Sequence, residues 1–277
     1  MLRSLIVITV IAGTAALSAQ DRNRSNDLFG RSASAWCDET DRWNRNDRIS
    51  CDVREESLPP RVSALDIDTG GNGGIAVRGV SGSTARVRFR IVARARSDAD
   101  ARRLAQEIDI STTDGRIRAR GPRTRDRENW SVDVEVETPR DLPLTLLTQN
   151  GGITIEDVTG RTRFETSNGG VTLIDVAGDV RGSTVNGGMV VRLDGRRWEG
   201  EGLDVATTNG GVRMVLPDDY NAELSAQTTN GGLNIDFPVT VQGRLSGINR
   251  RIVTTLGSGG PRLNVRTVNG GVSIARR

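Results

Sequence analysis

A triplet of one asparagine and two glycines recurs along the chain, and each copy is followed by alternating apolar and polar residues. The copies at 150–152 and 168–170 are 18 residues apart, and the later copies follow at intervals of 18, 23, 21 and 39 residues. Repetition of this kind is typical of a repeat architecture. The asparagines of the set are Asn72, Asn150, Asn168, Asn186, Asn209, Asn230 and Asn269.

Each period is predicted to contain two short strands and two turns. Alternation of apolar and polar residues is the two-residue period of a β-strand, and it occurs both before and after the triplet. Asn tolerates a left-handed backbone and Gly adopts positive φ at little steric cost, so the triplet predicts a tight turn. The residues expected to face inward after the turns are Ile153, Ile155, Val171, Leu173, Met189, Val191, Val212, Met214, Leu233, Ile235, Val272 and Ile274.

Two architectures fit this periodicity. In a meander the Asn-Gly turns would close hairpins, whereas in a solenoid successive periods would stack in parallel, with equivalent asparagines about 4.8 Å apart. Equivalent inward positions at a near-constant period favour the solenoid. The predicted fold is therefore all-β, a repetitive single-stranded β-solenoid. One short helix near 98–107 interrupts it, because Ser97 is a suitable N-cap and the acids after it suit a first helical turn.

Three segments outside the main repeat alternate apolar residues with charges of one sign. Residues 86–91 and 116–120 carry arginine on one face, and residues 133–137 carry Asp and Glu. The acidic segment follows the second basic segment after a short loop, which predicts that 116–120 and 133–137 form a hairpin with facing opposite charges. The arginine faces are thus interpreted as solvated or internally paired, and docking on an anionic envelope polymer is the alternative.

The N-terminal part of the chain differs in composition from the repeats. Residues 1–19 resemble a secretory signal, with Arg3 before an apolar run, and an uncleaved membrane anchor is the alternative. Residues 20–60 form a polar head that contains Cys37 and Cys51. Two cysteines this close in an exported chain predict one disulfide. Residues 61–277 are predicted to form the repeat domain.

The recurring motif Thr-x-Asn-Gly-Gly-apolar-x-apolar, found from about Val62 onward, resembles the bacterial putative adhesin domain family. The resemblance implies an exported or envelope-associated β-solenoid of otherwise unknown function. Adhesion is itself inferred from fold analogy in that family, so the resemblance implies little about a ligand.

Composition removes several kinds of chemistry. The chain has 38 basic residues, all of them arginine, against 35 acidic residues, and the net charge is +3. It contains no His and only 2 Cys, so the usual general base and the usual zinc ligands are missing. The basic strands lack interleaved aromatic residues on which bases could stack, which argues against nucleic-acid binding. We therefore predict no catalytic residue, no cofactor and no metal site.

The sequence favours an exported, non-enzymatic binding or structural module of the cell envelope, in the periplasm or on the cell surface. An envelope polymer, a cell surface or a membrane protein would each fit as its partner. Two alternatives stay open, a polysaccharide-active β-helix enzyme and an envelope-stress sensor. An enzyme would need acid and base to converge where the repeat breaks, and the lengthened interval 194–202 carries Asp194, Glu199 and Glu201 beside Trp198.

Overall fold

The computed structural model describes residues 30–38, 47–59, 62–238 and 250–277. The expected signal peptide, 1–19, lies outside the described residues, as does part of the polar head. The described chain contains two short helices, α1 (Ala33–Asp38) and α2 (Asp98–Gln106), and twenty strands arranged in two sheets. Within this part of the chain, neither helix has the length and hydrophobicity that crossing a bilayer requires.

The strands are numbered along the chain, and each sheet contains ten of them. In spatial order, sheet A consists of β1 (Arg48–Ser57), β4 (Arg86–Ala95), β7 (Asn129–Pro139), β3 (Ile75–Val80), β9 (Ile153–Glu156), β11 (Val171–Ile174), β13 (Met189–Arg192), β15 (Val212–Leu216), β20 (Val272–Arg276) and β17 (Leu233–Ile235). Sheet B consists of β18 (Arg250–Leu256), β16 (Ala222–Asn230), β19 (Arg262–Asn269), β14 (Gly202–Asn209), β12 (Asp179–Asn186), β10 (Thr162–Asn168), β8 (Leu144–Thr148), β2 (Leu65–Asp68), β6 (Arg116–Arg120) and β5 (Asp109–Thr113).

Each repeat forms one coil, which gives a strand to sheet B, turns at the Asn-Gly-Gly triplet and gives a strand to sheet A. Neighbouring coils pair in parallel and in register, so that Ile153, Val171 and Met189 lie side by side. The parallel pairing excludes the meander. The description of the solenoid as single-stranded is not confirmed, because every coil contributes strands to two separate sheets.

The coils do not follow one another in chain order at either end of the stack. The coil β2/β3 lies between β6/β7 and β8/β9, and the C-terminal coil β19/β20 lies between β14/β15 and β16/β17. Antiparallel strands flank the stack: β4 and β1 continue sheet A beyond β7, β5 continues sheet B beyond β6, and β18 covers β16 at the other end.

The core lies between the two sheets and consists of the inward residues of every coil. The residues expected to face inward are buried, except that Leu233 and Ile235 of the terminal strand β17 are half-buried. The predicted helix is confirmed as α2, and the hydroxyl of Ser97 accepts a 3.1 Å hydrogen bond from the backbone N–H of Asp100. Burying alternate residues of each strand fixes the register, since a slip of one residue would expose the core.

The predicted hairpin between the segments 116–120 and 133–137 is wrong. The first segment is β6 of sheet B and the second lies in β7 of sheet A, because consecutive strands of one coil belong to opposite sheets. The acidic strand pairs instead with the other basic strand, β4, where Arg86, Arg88 and Arg90 lie opposite Glu137, Glu135 and Asp133. The arginines of β4 are thus paired within the protein, as the favoured interpretation required.

The expected reason for the triplet glycines, positive φ, applies to two of them only, Gly73 (134°) and Gly270 (159°). Between residues 150 and 232, no asparagine or glycine of a triplet has positive φ. A Cβ on the first glycine of a triplet would instead overlap the carbonyl oxygen of the first glycine in the neighbouring coil, as at Gly169 against Gly151. Glycine is needed there because two backbones approach closely. Positive φ occurs at the opposite corner, at Asp157 (58°) and Asp175 (49°).

Candidate functional site

The triplet asparagines form a continuous ladder of side-chain amides along one edge of the solenoid. In each step, Nδ2 of one asparagine donates to Oδ1 of the asparagine before it over 2.7 to 2.9 Å, in the spatial order Asn72, Asn150, Asn168, Asn186, Asn209, Asn269, Asn230. An amide has two N–H donors and two acceptor lone pairs, so each ladder bond leaves one of each on the exposed edge. We call this row the asparagine ladder.

One further asparagine extends the ladder. Asn72 donates from Nδ2 to Oδ1 of Asn129 over 3.3 Å and to the backbone oxygen of Trp130 over 3.1 Å. Sequence analysis missed Asn129, because no triplet follows it. The register of β7 beside β3 places it at this edge.

A buried threonine beneath each asparagine ties adjacent coils together. Its hydroxyl donates to the carbonyl of the first glycine in the neighbouring triplet, over 2.7 to 2.9 Å, at Thr148, Thr166, Thr184, Thr207, Thr228 and Thr267. These bonds explain why a threonine precedes six of the seven asparagines by two residues, the exception being Asn72. The ladder is therefore held from below by a second row of hydrogen bonds.

The second glycines of the triplets form an exposed strip on the outer face of sheet A, beside the asparagine ladder. We call it the glycine strip, and its members are Gly74, Gly152, Gly170, Gly188, Gly211, Gly271 and Gly232. A Cβ on Gly188 would lie 3.6 Å from the nearest atom, an ordinary contact. The strip is therefore a shallow channel floored by backbone, whose depth comes from the missing side chains.

Cavities lie at both ends of this channel. At one end a cavity of about 730 Å³ is lined by Asn72, Asn129, Asn150, Arg94 and Asp133, together with the neighbouring glycines. At the other end a cavity of about 570 Å³ extends over the glycine strip next to Val190, Arg213 and Leu233. Asp133 occupies the position in β7 that glycine occupies in the other coils, so the strip ends there.

The surroundings of the glycine strip are almost uncharged. The outward residues next to it, from β9 to β17, are Thr154, Thr172, Val190, Arg213, Ser273 and Asn234. The residues before the asparagines are Gln149, Ser167, Val185, Thr208, Val268 and Thr229. Hydroxyls, amides and methyl groups thus border both sides, with Arg213 as the single charge among these twelve positions.

The lengthened interval 194–202, where an enzyme site would be expected, connects β13 of sheet A to β14 of sheet B. Trp198 is buried, and its Nε1 donates a 3.0 Å hydrogen bond to the backbone oxygen of Gly178. Asp194 forms an ion pair with Arg277. Nearby, burial and the charges of Asp194 and Asp157 raise the pKa of Asp175, whose Oδ1 has no hydrogen-bond partner in the described chain.

A cavity of about 270 Å³ on sheet B contains three carboxylates, those of Asp179, Glu201 and Asp204. Asp179 accepts a 2.8 Å hydrogen bond from Arg163 and a 2.9 Å bond from Arg181, and the bond from Arg163 is the main cause of its lowered pKa. Asp204 is paired with Arg266 over 2.9 Å. The contacts with Arg163 and Arg181 hold Asp179 ionised, which suits an ion-paired surface rather than a proton donor.

The polar head packs on the outer face of sheet A. Cys37 and Cys51 form a disulfide that joins α1 to β1. Trp36 is buried among the guanidinium groups of Arg31, Arg88 and Arg90, which lie 5.0 to 5.1 Å from its ring centroid. Such cation–π contacts favour a desolvated ring next to arginine.

Charge is also paired beneath this tryptophan. Arg90 donates to the backbone oxygen of Trp36 over 2.7 Å and to Asp133 over 2.8 Å. Glu135 is buried and bonded to Arg31, and burial raises its pKa. The described residues contain no group of three or more His, Cys, Asp or Glu side chains arranged to hold a metal ion.

Together, the stacked coils and the amide edge define an open two-sheet β-solenoid built from repeats. Within that class, the chain belongs to the Toastrack DUF4097 family, whose model matches residues 131–275. The family resemblance inferred from the repeat motif is thereby confirmed. No curated protein matches the chain.

Several solved structures are similar to this chain. A putative cell adhesion protein from Clostridium sporogenes ATCC 15579 is 12% identical, with 82% of this chain and 100% of that chain covered and a TM-score of 0.45. A putative adhesin from Bacteroides fragilis NCTC 9343 is 10% identical, with coverages of 82% and 97% and a TM-score of 0.34. A putative lipid binding protein from Parabacteroides distasonis ATCC 8503 is 10% identical, with coverages of 82% and 96% and a TM-score of 0.31.

Proposed function

We propose that this protein is an exported, non-enzymatic module of the cell envelope that binds an envelope component through its repeated surface. The observation that carries the proposal is the asparagine ladder, which presents the same pair of hydrogen-bonding groups once per coil from Asn150 to Asn230. A surface that repeats in this way suits an extended ligand or a large partner. The disulfide between Cys37 and Cys51 supports export, since disulfides persist in oxidising compartments.

A carboxylate-based glycan hydrolase is the competing function. It would need one carboxyl group with a raised pKa beside a second, ionised carboxylate at the scissile bond. Asp175, near Asp194, comes closest to this pattern in the described chain. However, the three cavities described above are lined by other residues, and Asp194 is engaged by Arg277. We therefore favour binding over turnover.

Co-sedimentation of the purified protein with isolated bacterial envelopes tests the proposal, with the heat-unfolded protein as control. A reducing-end assay on the same samples measures turnover. We expect sedimentation of the folded protein without release of sugar ends. Sugar release that disappears in Asp175→Asn, Asp194→Asn or Glu199→Gln would establish the enzyme instead, and failure to sediment would contradict envelope binding.

A further inference from the structure

We propose that the glycine strip and the asparagine ladder together bind an extended, uncharged polysaccharide, with one chain end in the cavity beside Asp133. The inference rests on the proposed function and specifies the ligand class and the binding surface. It depends on three features of this edge: unused hydrogen-bond donors, fully used carbonyls, and the near absence of charge.

The first feature is a row of backbone N–H groups along the glycine strip. Gly74 donates its N–H to Oδ1 of Asp133 over 2.7 Å. For the six other second glycines, no hydrogen bond from the N–H to another described group is present. Asp133 therefore shows that an oxygen atom placed over this face reaches the N–H of the next coil. In the other coils the residue equivalent to Asp133 is glycine, so no side chain covers the N–H group.

The second feature is that the carbonyls of the triplets are already used. The carbonyl of each second glycine accepts from the next coil, as in the 3.0 Å bond from Val171 to Gly188. The carbonyls of six first glycines accept from a threonine, as in the bond from Thr184 to Gly169. The carbonyl of the seventh, Gly231, accepts a 2.8 Å hydrogen bond from Arg250. An added peptide strand needs donors and acceptors in alternation, and this face offers backbone donors alone. Hydroxyl groups can accept hydrogen bonds from such donors, and they can also accept from the N–H and donate to the oxygen of the side-chain amides.

The third feature is charge. A polyanion would require a row of basic residues to attract it, and Arg213 is the single charged side chain in the two rows that border the strip. At the closed end Asp133 is paired with Arg90, and Arg94 is the one basic residue that lines the cavity, so no row of basic residues exists there either. A neutral polymer rich in hydroxyl groups is the class that matches these groups.

The ends of the channel give the ligand a direction. At the β7 end, Asp133, Asn129 and Arg94 rise around the cavity of about 730 Å³, so a chain end would meet polar side chains there. At the β17 end the cavity over Gly188 and Gly232 opens past the last strand. With coils about 4.8 Å apart, the strip from Gly152 to Gly232 contains six equivalent positions.

The test copies the arrangement of Asp133 into the middle of the strip. Gly188→Asp would place a carboxylate over the N–H of Gly211, and its Cβ makes only an ordinary 3.6 Å contact. Gln227→Asp on the outer face of sheet B adds the same charge away from the strip and is the matched control. If Gly188→Asp fails to fold by circular dichroism, Gly232→Asp replaces it, because a Cβ there meets nothing within 4 Å.

Calorimetric titration of the full chain would use cellohexaose and chitohexaose as neutral probes, an oligogalacturonate as an anionic probe and an unstructured hexapeptide. We expect a neutral hexasaccharide to bind, about tenfold or more weaker binding in Gly188→Asp, and unchanged binding in Gln227→Asp. No binding of either neutral probe, preferential binding of the anion or the peptide, or equal affinity in Gly188→Asp would each overturn the inference. Envelope sedimentation that persists in Gly188→Asp would refute this surface alone, whereas its absence in the unaltered protein would refute the proposed function.

Discussion

The hydroxyl of Thr184 donates a 2.8 Å hydrogen bond to the backbone carbonyl of Gly169 in the neighbouring coil. Both groups lie at the corner where the chain passes from sheet B to sheet A. A buried carbonyl without a partner is costly, and the same bond recurs in six coils. The threonines therefore hold the corner that presents the asparagine ladder.

Replacing this threonine tests its contribution. Thr184→Val keeps the branched shape but removes the donor, and we expect it to lower the free energy of unfolding by about 1–2 kcal/mol. Thr172→Val, at an outward position of the neighbouring coil, should change it by less than about 0.5 kcal/mol. Urea unfolding followed by circular dichroism measures both. Equal losses of unfolding free energy in the two variants would show that the hydrogen bond of the Thr184 hydroxyl does not contribute to stability.

The two glycines of one triplet should respond in opposite ways to the same substitution. In Gly187→Ala the new Cβ would overlap the carbonyl oxygen of Gly169, and backbone cannot move aside easily. In Gly188→Ala the nearest atom is 3.6 Å away. We expect Gly187→Ala to destabilise by about 3 kcal/mol or more, as overpacking does at its upper end, and Gly188→Ala to stay within about 1 kcal/mol of the unaltered protein. Thermal unfolding of the pair checks this, and a larger loss in Gly188→Ala would contradict it.

The sequence allowed the strands, their inward residues and the helix α2 to be predicted, because these depend on local periodicity and capping. Ile153 and Val171, which hold equivalent positions in neighbouring coils, both face inward because alternate residues of a strand share a face. The parallel stacking followed from equivalent residues recurring at a near-constant period.

Coil order and strand partners could not be predicted in this way. The coil β19/β20 inserts between two coils that precede it in the chain, and no local pattern encodes that choice. The partner of the acidic strand β7 was mistaken for the same reason, since sequence proximity suggested β6 and not β4. Asn129 and Asp133 are placed at the edge of the asparagine ladder by this long-range pairing, so the end of the candidate site could not be predicted from the sequence.

Asp179 and Asp175 should contribute to the stability of the folded protein with opposite dependence on pH. Hydrogen bonding to Arg163 lowers the pKa of Asp179 from its ordinary value of 3.8. A lowered pKa in the folded state contributes stability that is present above the unfolded value and lost as the pH falls through the folded value. Asp179→Asn should therefore destabilise at pH 7, and the difference from the unaltered protein should shrink as the pH falls below 3.8 and vanish below the lowered pKa of the folded state. Unfolding curves between pH 2.5 and 7 measure this difference, since the range spans the titration of an ordinary Asp near roughly 3.9. A difference that stays constant over this range would exclude the ion pair as the cause of the destabilisation.

Asp175→Asn should behave in the opposite sense. Burial, together with Asp194 and Asp157, raises the pKa of Asp175 above 3.8, so its contribution to stability is present below the unfolded value and lost as the pH rises through the folded value. Asparagine also tolerates the positive φ of 49° at this position. We expect the variant to match the unaltered protein at low pH and to melt a few degrees higher, about 2–4 °C, at pH 7. A lower melting temperature at pH 7 would show that the carboxylate makes a favourable contact that outweighs its burial.

The last prediction concerns the disulfide that fixes the head to the sheet. Cys37 and Cys51 are 14 residues apart, and closing a loop of this size contributes up to about 3 kcal/mol in the chain-entropy description. Thiol labelling of the denatured, unreduced protein should detect no reactive cysteine. The double variant Cys37→Ser, Cys51→Ser should lower the free energy of unfolding by about 2–3 kcal/mol and speed tryptic cleavage at Arg31, because α1 would leave the face on which Trp36 packs. Trp36→Leu is the matched control: it keeps the disulfide and removes the cation–π contacts, so it should accelerate cleavage less. Two labelled thiols in the unreduced protein would contradict the disulfide, and unchanged cleavage in the double variant would show that arginine contacts alone hold the head.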